Sequence, residues 1–239
     1  MKRALVTGGS GTIGAAICRK LAADGLHVYV HSNQGAVQGE AIVAAIAANG
    51  GSAAAISFNV TDADETAAAL KAILNEGAIQ VLVNNAGIHD DAVMPAMRRA
   101  QWSSVIDVSL NGFFNVTQPL LMPMIGTRWG RIVNVSSVSG IAGNRGQVNY
   151  AAAKAGLQGA TKSLSLELAS RGITVNAIAP GIIASPMSEK TFDKELVNRL
   201  VPMKRAGTPE EVADLAAFLV SDRAGYISGQ VISINGGMI

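Results

Sequence analysis

The chain has 239 residues, 49% of them hydrophobic and 15% charged, a globular composition of a size suited to one domain. Nineteen Lys and Arg against seventeen Asp and Glu leave a net charge of +2, too small a surplus to point to nucleic acid. No run approaches the roughly 18 consecutive apolar residues of a membrane span, and the single cysteine, Cys18, excludes an intramolecular disulfide.

The chain opens directly on a strand over residues 4–7, which leaves no room for a signal sequence and predicts a cytoplasmic protein. A glycine-rich turn, T-G-G-S-G-T-I-G, then leads into a helix over 13–24, with Cys18 on its apolar face. Next come a strand at 27–31, a helix at 35–49, a strand at 54–58 and a helix at 62–75, which Asp62 and Glu65 begin as a capping box. A strand at 80–83 precedes a long helix over 101–125, a strand at 131–135 and a helix over 149–170 that Gly172 ends. After a strand at 174–178, the least regular segment runs from 181 to about 203, with Pro186 and Pro202 bracketing a short polar helix. It is placed to serve as a substrate lid. Thr208-Pro209-Glu210-Glu211 caps a helix over 209–220, and a strand at 230–234 closes the chain. This alternation predicts a single α/β domain over 1–239: a Rossmann-like, doubly wound parallel sheet of about seven strands, with helices on both faces.

Two patterns carry chemistry. Glycines at a strand-to-helix turn let backbone N–H groups approach a pyrophosphate at the helix N-terminus. Tyr150 and Lys154 are four residues apart, side by side on one helix face, with Ser137 thirteen residues upstream in N-V-S-S-V-S-G. A neighbouring ammonium favours the phenolate, so Lys154 is expected to lower the Tyr150 pKa and make it a general acid toward a carbonyl oxygen. Ser137 would donate a second hydrogen bond to that oxygen. The same pair also fits a solvated helix face; what distinguishes the two readings is a source of hydride. A metal is not expected: His27 and His31 are roughly 13 Å apart along one strand, and His89-Asp90-Asp91 reads as a polar loop. Met94, Met97, Met122, Met124 and Met187 are expected to fill apolar gaps.

With these residues the chain resembles the short-chain dehydrogenase/reductase family along essentially its whole length. The family's T-G-x-x-x-G-x-G falls on Thr7, Gly8 and Gly14, with Thr12 at the middle glycine and Gly11 one place early. The resemblance implies coenzyme contacts from Gly8, Ser10, Gly11, Thr12, Ile13 and Gly14. It adds Asn59 and Val60 at the adenine, and Asn85, Ala86 and Gly87 of N-N-A-G at the adenosine ribose. Pro180, Gly181, Ile183 and Ser185 fall at the nicotinamide, and Tyr150 and Lys154 at its ribose.

The residue that would repel a 2′-phosphate is absent: the second strand ends V-Y-V-H-S-N with Ser32 where an acid would stand, which favours NADP(H). His31 and Asn33 are candidates to contact that phosphate, with ordinary loop roles as the alternative. The family's frequent arginine in the glycine turn is replaced by Gly11.

By the same resemblance Ser137, Tyr150 and Lys154 are the catalytic serine, tyrosine and lysine. The family's fourth member, an asparagine holding a relay water, aligns with Ser109. Asn111 lies two residues on, about 200° around a regular helix. The expectation is that Ser109 or an extra water completes the relay.

Within the family the chain is most similar to β-ketoacyl-[acyl carrier protein] reductases, through G-R-I-V-N-V-S-S, G-N-R-G-Q-V-N-Y-A-A-A-K-A-G-L, S-R-G-I-T-V-N-A-I-A-P-G and S-G-Q-V-I-S-I-N-G-G-M. That implies reduction of 3-oxoacyl thioesters, docking of an acidic carrier protein on Arg128 and Arg171, and a homotetramer. A CoA-thioester or small-molecule carbonyl reductase is the alternative enzyme, and a nucleotide-binding partner subunit the alternative outside catalysis.

Overall fold

The computed structural model describes residues 1–186 and 193–239. Seven parallel strands lie in the order β3-β2-β1-β4-β5-β6-β7: β1 (Arg3–Val6), β2 (His27–Ser32), β3 (Ser52–Ser57), β4 (Val81–Asn84), β5 (Gly130–Val135), β6 (Ile173–Pro180) and β7 (Val231–Ile234). Every neighbouring pair is parallel. The expected strands and their doubly wound arrangement are all present.

Alternation along the central strands builds two cores. Ala4, Val6, Val81, Val83 and Val133 face Ile17 and Leu21 of α1 (Thr12–Ala23), Ile42 and Ile46 of α2 (Ala36–Ala48), and Val212 and Ala216 of the last helix. Leu5, Leu82, Ile132 and Val175 face the other way, onto α3 (Ala63–Leu74), α5 (Gly112–Gly126) and α7 (Val148–Leu168). Cys18 is fully buried on α1, and burial pushes its thiol up to about 12, so it packs rather than reacts. Met124 fills the core, whereas Met94 and Met122 are exposed, contrary to the gap-filling expectation; Met187 lies outside the described residues.

The long helix expected over 101–125 is two helices, α4 (Arg99–Ile106) and α5, joined by a π-helical turn at Asp107–Asn111. The Gly112 N–H reaches the Asp107 carbonyl, five residues back rather than four. Gly112 also lies close against Val60: a Cβ there would fall 2.8 Å from Val60 Cγ2.

Short α6 (Ser139–Ala142) links β5 to α7; α8 (Lys194–Leu200) matches the short polar helix, and α9 (Pro209–Val220) starts on a complete Thr208–Glu211 capping box. Asp62 accepts from the Glu65 N–H at 2.9 Å. Gly172 takes φ +75°, the left-handed helix end its position predicted. The expected lid falls partly on 187–192, outside the described residues. Among the described residues no helix is long and apolar enough to cross a membrane.

Candidate active site

The strand order reverses between β1 and β4, which opens a crevice at their carboxyl ends. Gly8 turns there with φ +62°, and its carbonyl lies so close to α1 that a Cβ on Gly14 would fall 2.2 Å from it. Only glycine allows that approach. Gly11 is the N-cap, α1 starts at Thr12, and Thr12 is exposed at the first helical position, so a side chain there costs the turn nothing. The first-turn N–H groups of Thr12, Ile13 and Gly14 have no partner within the helix, which suits an anion.

Asn85 braces this turn from β4. Its Nδ2 donates to the Thr7 and Gly8 carbonyls, each at 3.0 Å, while the Thr7 hydroxyl accepts from the Asn85 and Ala86 N–H groups. Asn84 points into the core and donates to Thr117 Oγ1 and Asn134 Oδ1; Asn134 passes the chain to Thr161. Val60 is buried, its carbonyl accepting from Asn115, and Asn59 holds Thr61 through its side-chain oxygen.

At the end of β2 the arrangement differs from the sequence expectation. His31 is 2% exposed; its Nδ1 accepts from the Gly8 N–H at 3.0 Å and its Nε2 donates to the Phe58 carbonyl at 2.9 Å. Both nitrogens are thus engaged within the chain, and the ring does not offer itself to a 2′-phosphate. Ser32 is buried beside it and Asn33 is exposed. Neither brings a negative charge.

Ser137 follows β5, and Tyr150 and Lys154 stand on α7. Asn149, fully buried, fixes the start of that helix: its Nδ2 donates to the Asp90 and Gln101 carbonyls, and its Oδ1 accepts from the Tyr150 N–H. The sequence reading starts the helix at Asn149 but does not single out its side chain, whose partners lie 48 and 59 residues away. Asp90 and Asp91 brace the same corner by accepting from Gln101 and Gln147; the His89-Asp90-Asp91 segment is the polar loop expected, and its anchoring role is a finding of the structure.

Lys154 is buried, donates to the Val135 carbonyl at 2.8 Å and lies 5.5 Å from the Tyr150 ring centre. Gly87 makes room for it, since a Cβ there would fall 3.2 Å from Lys154 Nζ. Burial lowers the Lys154 pKa to about 8. Tyr150 moves opposite to the expectation: burial raises its pKa, a hydrogen bond with Ser137 draws it back, and the Asp91 carboxylate adds to the rise. Desolvation by burial is the largest of these influences. The consequence is a phenol that keeps its proton at neutral pH, which a general acid needs.

Ser109 sits in the π-turn, 3% exposed, and its hydroxyl has no hydrogen-bond partner among the described residues. Beside it is a cavity of about 10 Å³, bordered by Thr7, Asn84 and Leu157, the space of roughly one water. Asn111 is held on the exposed side by Asp107 at 2.7 Å and does not take Ser109's place. After β6, Ile183 pairs with Gly207 through the Ile182 carbonyl and the Ala184 N–H, which leaves the Ile183 backbone groups outside that pairing. Pro180 ends β6, and Gly181 is packed on Asn235, where a Cβ would be 2.7 Å away; Ser185 lies further along the same segment.

Arg128 and Arg171 are exposed at the amino ends of β5 and β6, where the Gly130 N–H meets the Gly172 carbonyl at 3.3 Å. Ser137 is at the other end of β5, on the order of 20 Å away by strand rise. Within one chain the two arginines therefore do not border the crevice. Among the described residues no three His, Cys, Asp or Glu side chains are grouped to hold a metal.

Residues 2–196 match the short chain dehydrogenase family. The chain is 47% identical over 240 residues to the 3-oxoacyl-[acyl-carrier-protein] reductase FabG of Staphylococcus aureus, covering 99% of this chain and 98% of that protein. It is 47% identical to the 3-oxoacyl-[acyl-carrier-protein] reductase of Synechocystis over 238 residues, 99% and 96% of the two chains. The FabG of Aggregatibacter actinomycetemcomitans is 42% identical over 236 residues, 98% of each. With the parallel seven-stranded sheet and the glycine turn of that fold, the chain belongs to the short-chain dehydrogenase/reductase family of oxidoreductases.

Proposed function

We propose that this protein is an NADPH-dependent reductase of 3-oxoacyl thioesters carried on acyl carrier protein, acting in the cytoplasm in fatty acid synthesis or a related polyketide or polyene pathway. The observation that carries the reading is the meeting of Ser137, Tyr150 and Lys154 at the carboxyl ends of β5 and the neighbouring strands, with Tyr150 held protonated and Lys154 within reach. Relatives 47% identical along nearly the whole chain bear 3-oxoacyl-[acyl-carrier-protein] reductase as their name.

The residues present fit a nicotinamide dinucleotide. The close Gly8–Gly14 approach would cradle its pyrophosphate, Asn59 and Val60 would border the adenine, Asn85 to Gly87 would line the adenosine ribose, and Pro180, Gly181, Ile183 and Ser185 would lie at the nicotinamide. The coenzyme supplies the hydride. Ser32, uncharged where an acid would repel a 2′-phosphate, supports NADPH.

The chain's own part is to hold and protonate the ketone. Ser137 donates a hydrogen bond to the C3 oxygen, and the Tyr150 hydroxyl gives up its proton as that oxygen becomes an alkoxide. Lys154 places a positive charge beside the developing phenolate and would hold the nicotinamide ribose. The Ser109 hydroxyl, with a water in the adjoining cavity, starts the path that returns the proton. The products are the 3-hydroxyacyl thioester and NADP+, and one proton is taken up.

Carrier docking on Arg128 and Arg171 requires a homotetramer in which these residues of one copy reach the crevice of another. Phe114 and Met122 on α5 and Leu166 on α7 are exposed and apolar, 62%, 74% and 83% accessible, a face suited to a second copy. Two copies packed antiparallel along α7 would set the arginine end of one against the tyrosine end of the other.

The test is NADPH oxidation with acetoacetyl-carrier protein, acetoacetyl-CoA and simple ketones side by side, repeated with NADH. Carrier-bound substrate and NADPH are expected to give the highest kcat/KM; a clear preference for NADH or for a free ketone would overturn the corresponding part.

A further inference from the structure

We propose that His31 is a positioning residue for the coenzyme: a neutral imidazole, engaged at both nitrogens, that latches the glycine turn into its phosphate-binding shape without touching the phosphate. The inference rests on the reading above that a nicotinamide dinucleotide binds at this turn.

His31 holds two successive amides. Its Nδ1 accepts from the Gly8 N–H at 3.0 Å, and its backbone carbonyl accepts from the Gly9 N–H at 2.7 Å. On its other side Gly8 is gripped through its carbonyl, by Asn85 Nδ2 at 3.0 Å and the Gly11 N–H at 3.1 Å. The turn is thus fixed between β2 and β4, and the carbonyl so placed is the atom against which Gly14 packs. The position of α1's first turn follows from that contact.

The tautomer is determined. Gly8 supplies a donor, so Nδ1 carries no proton, and Nε2–H donates to the Phe58 carbonyl at 2.9 Å. The Phe58 ring, 4.0 Å away centre to centre, closes the pocket. The other titratable groups on this face of β2 are Tyr29 and His27, further back along the strand, with Arg3 and Glu76 gathered around Tyr29. Burial, partly offset by the Phe58 carbonyl, keeps the ring neutral, its pKa lowered to about 4. An imidazolium would set a second donor against the Gly8 N–H, and the latch would be lost.

This role differs in its consequences from contact with a 2′-phosphate. A latch acts through the pyrophosphate, which NADPH and NADH share, so loosening it weakens both alike. A direct contact acts on NADPH alone.

Three variants separate the possibilities: His31→Phe keeps volume and removes both ring bonds, His31→Asn keeps an acceptor near the Nδ1 position, and His31→Gln reaches toward Phe58 but offers Gly8 none. Two readouts are used: hydrogen exchange of the Gly8 amide in the coenzyme-free protein, and Kd for NADPH and NADH from nucleotide fluorescence.

In His31→Phe the Gly8 amide is expected to exchange about tenfold faster or more, and both coenzymes to bind about tenfold more weakly, which corresponds to the loss of the one buried hydrogen bond, of the two removed, that holds Gly8. The kinetic loss falls on the KM for coenzyme more than on kcat, and His31→Asn recovers affinity for both coenzymes that His31→Gln does not. If His31→Phe does not fold, the Asn–Gln comparison decides. Loss confined to NADPH would overturn the proposal, as would equal affinities in the Asn and Gln variants. If the wild type bound neither coenzyme, the functional reading would fall, while Gly8 exchange would still test the latch: a fast-exchanging Gly8 in the wild type refutes it.

Discussion

The Lys154 ammonium donates to the Val135 carbonyl at 2.8 Å, which ties the lysine of α7 to the last residue of β5, two positions before Ser137. The lysine is therefore anchored to the strand that carries the serine, and its distance from Tyr150 is set by the sheet rather than by a free side chain.

That burial makes the lysine titrate early. Its folded pKa of about 8 lies below the ordinary 10.5, so the ammonium is present below pH 8 and lost above it. Tyr150 is shifted the other way and stays protonated through the same range. Ketone reduction at saturating coenzyme is expected to decline as pH rises through about 8. Between about 8 and 10.5 the unfolded chain holds more protons at this site than the folded one, so Lys154 makes stability rise with pH there. A flat pH–rate profile from 7 to 9.5 would contradict the assignment. Tyr150→Phe should cost at least ~10²-fold in rate while coenzyme still binds.

Ser109→Asn restores the side chain that the family resemblance expects, beside a cavity of about 10 Å³. The rate is expected to stay similar or to increase. A wild type inert in every reductase assay, with activity created by the substitution, would show that Ser109 does not serve the relay.

Gly14→Ala places a methyl group 2.2 Å from the Gly8 carbonyl, a distance no packing adjustment accommodates without moving the turn. Coenzyme binding measured by fluorescence should fall by at least about tenfold. Thr12→Gly, at an exposed position, should leave it nearly unchanged.

Reversing the charges of Arg128 and Arg171 should lower kcat/KM for a carrier-bound substrate much more than for a small soluble ketone, with the difference shrinking at high salt. Equal losses on both substrates would remove the docking assignment. Mixed oligomers test the geometry further: subunits carrying only the reversed charges, combined with subunits carrying only Tyr150→Phe, should regain carrier-dependent activity if one copy docks the carrier for its neighbour.

The strands, the doubly wound order and the places of Ser137, Tyr150 and Lys154 were legible because each rests on local periodicity or a short motif. Four departures have non-local causes. The π-turn arises where Gly112 is packed on Val60, a contact between segments about fifty residues apart in sequence that leaves no period in 101–125. His31 reads as an exposed polar strand end until Phe58 and Gly8 close over it. The rise in the Tyr150 pKa comes from burial by neighbouring elements, whereas helix spacing alone reveals only the lysine. Arg128 and Arg171 are separated from the crevice by the length of β5, which the motif alignment does not convey.

At Gly140 the short helix α6 touches α7 main chain to main chain: a Cβ would fall 2.8 Å from the Lys154 carbonyl carbon and 2.9 Å from the Ala155 nitrogen. Polar side chains clasp the same contact: Ser136 Oγ donates to the Lys154 carbonyl at 3.0 Å, and Gln158 Nε2 donates to Ser136 Oγ at 2.9 Å. The spacing of the three groups is therefore buffered against drift in the hydrophobic core. Valine, isoleucine and leucine can be exchanged beneath them over evolutionary time while the ruler that sets their separation stays the width of two peptide backbones.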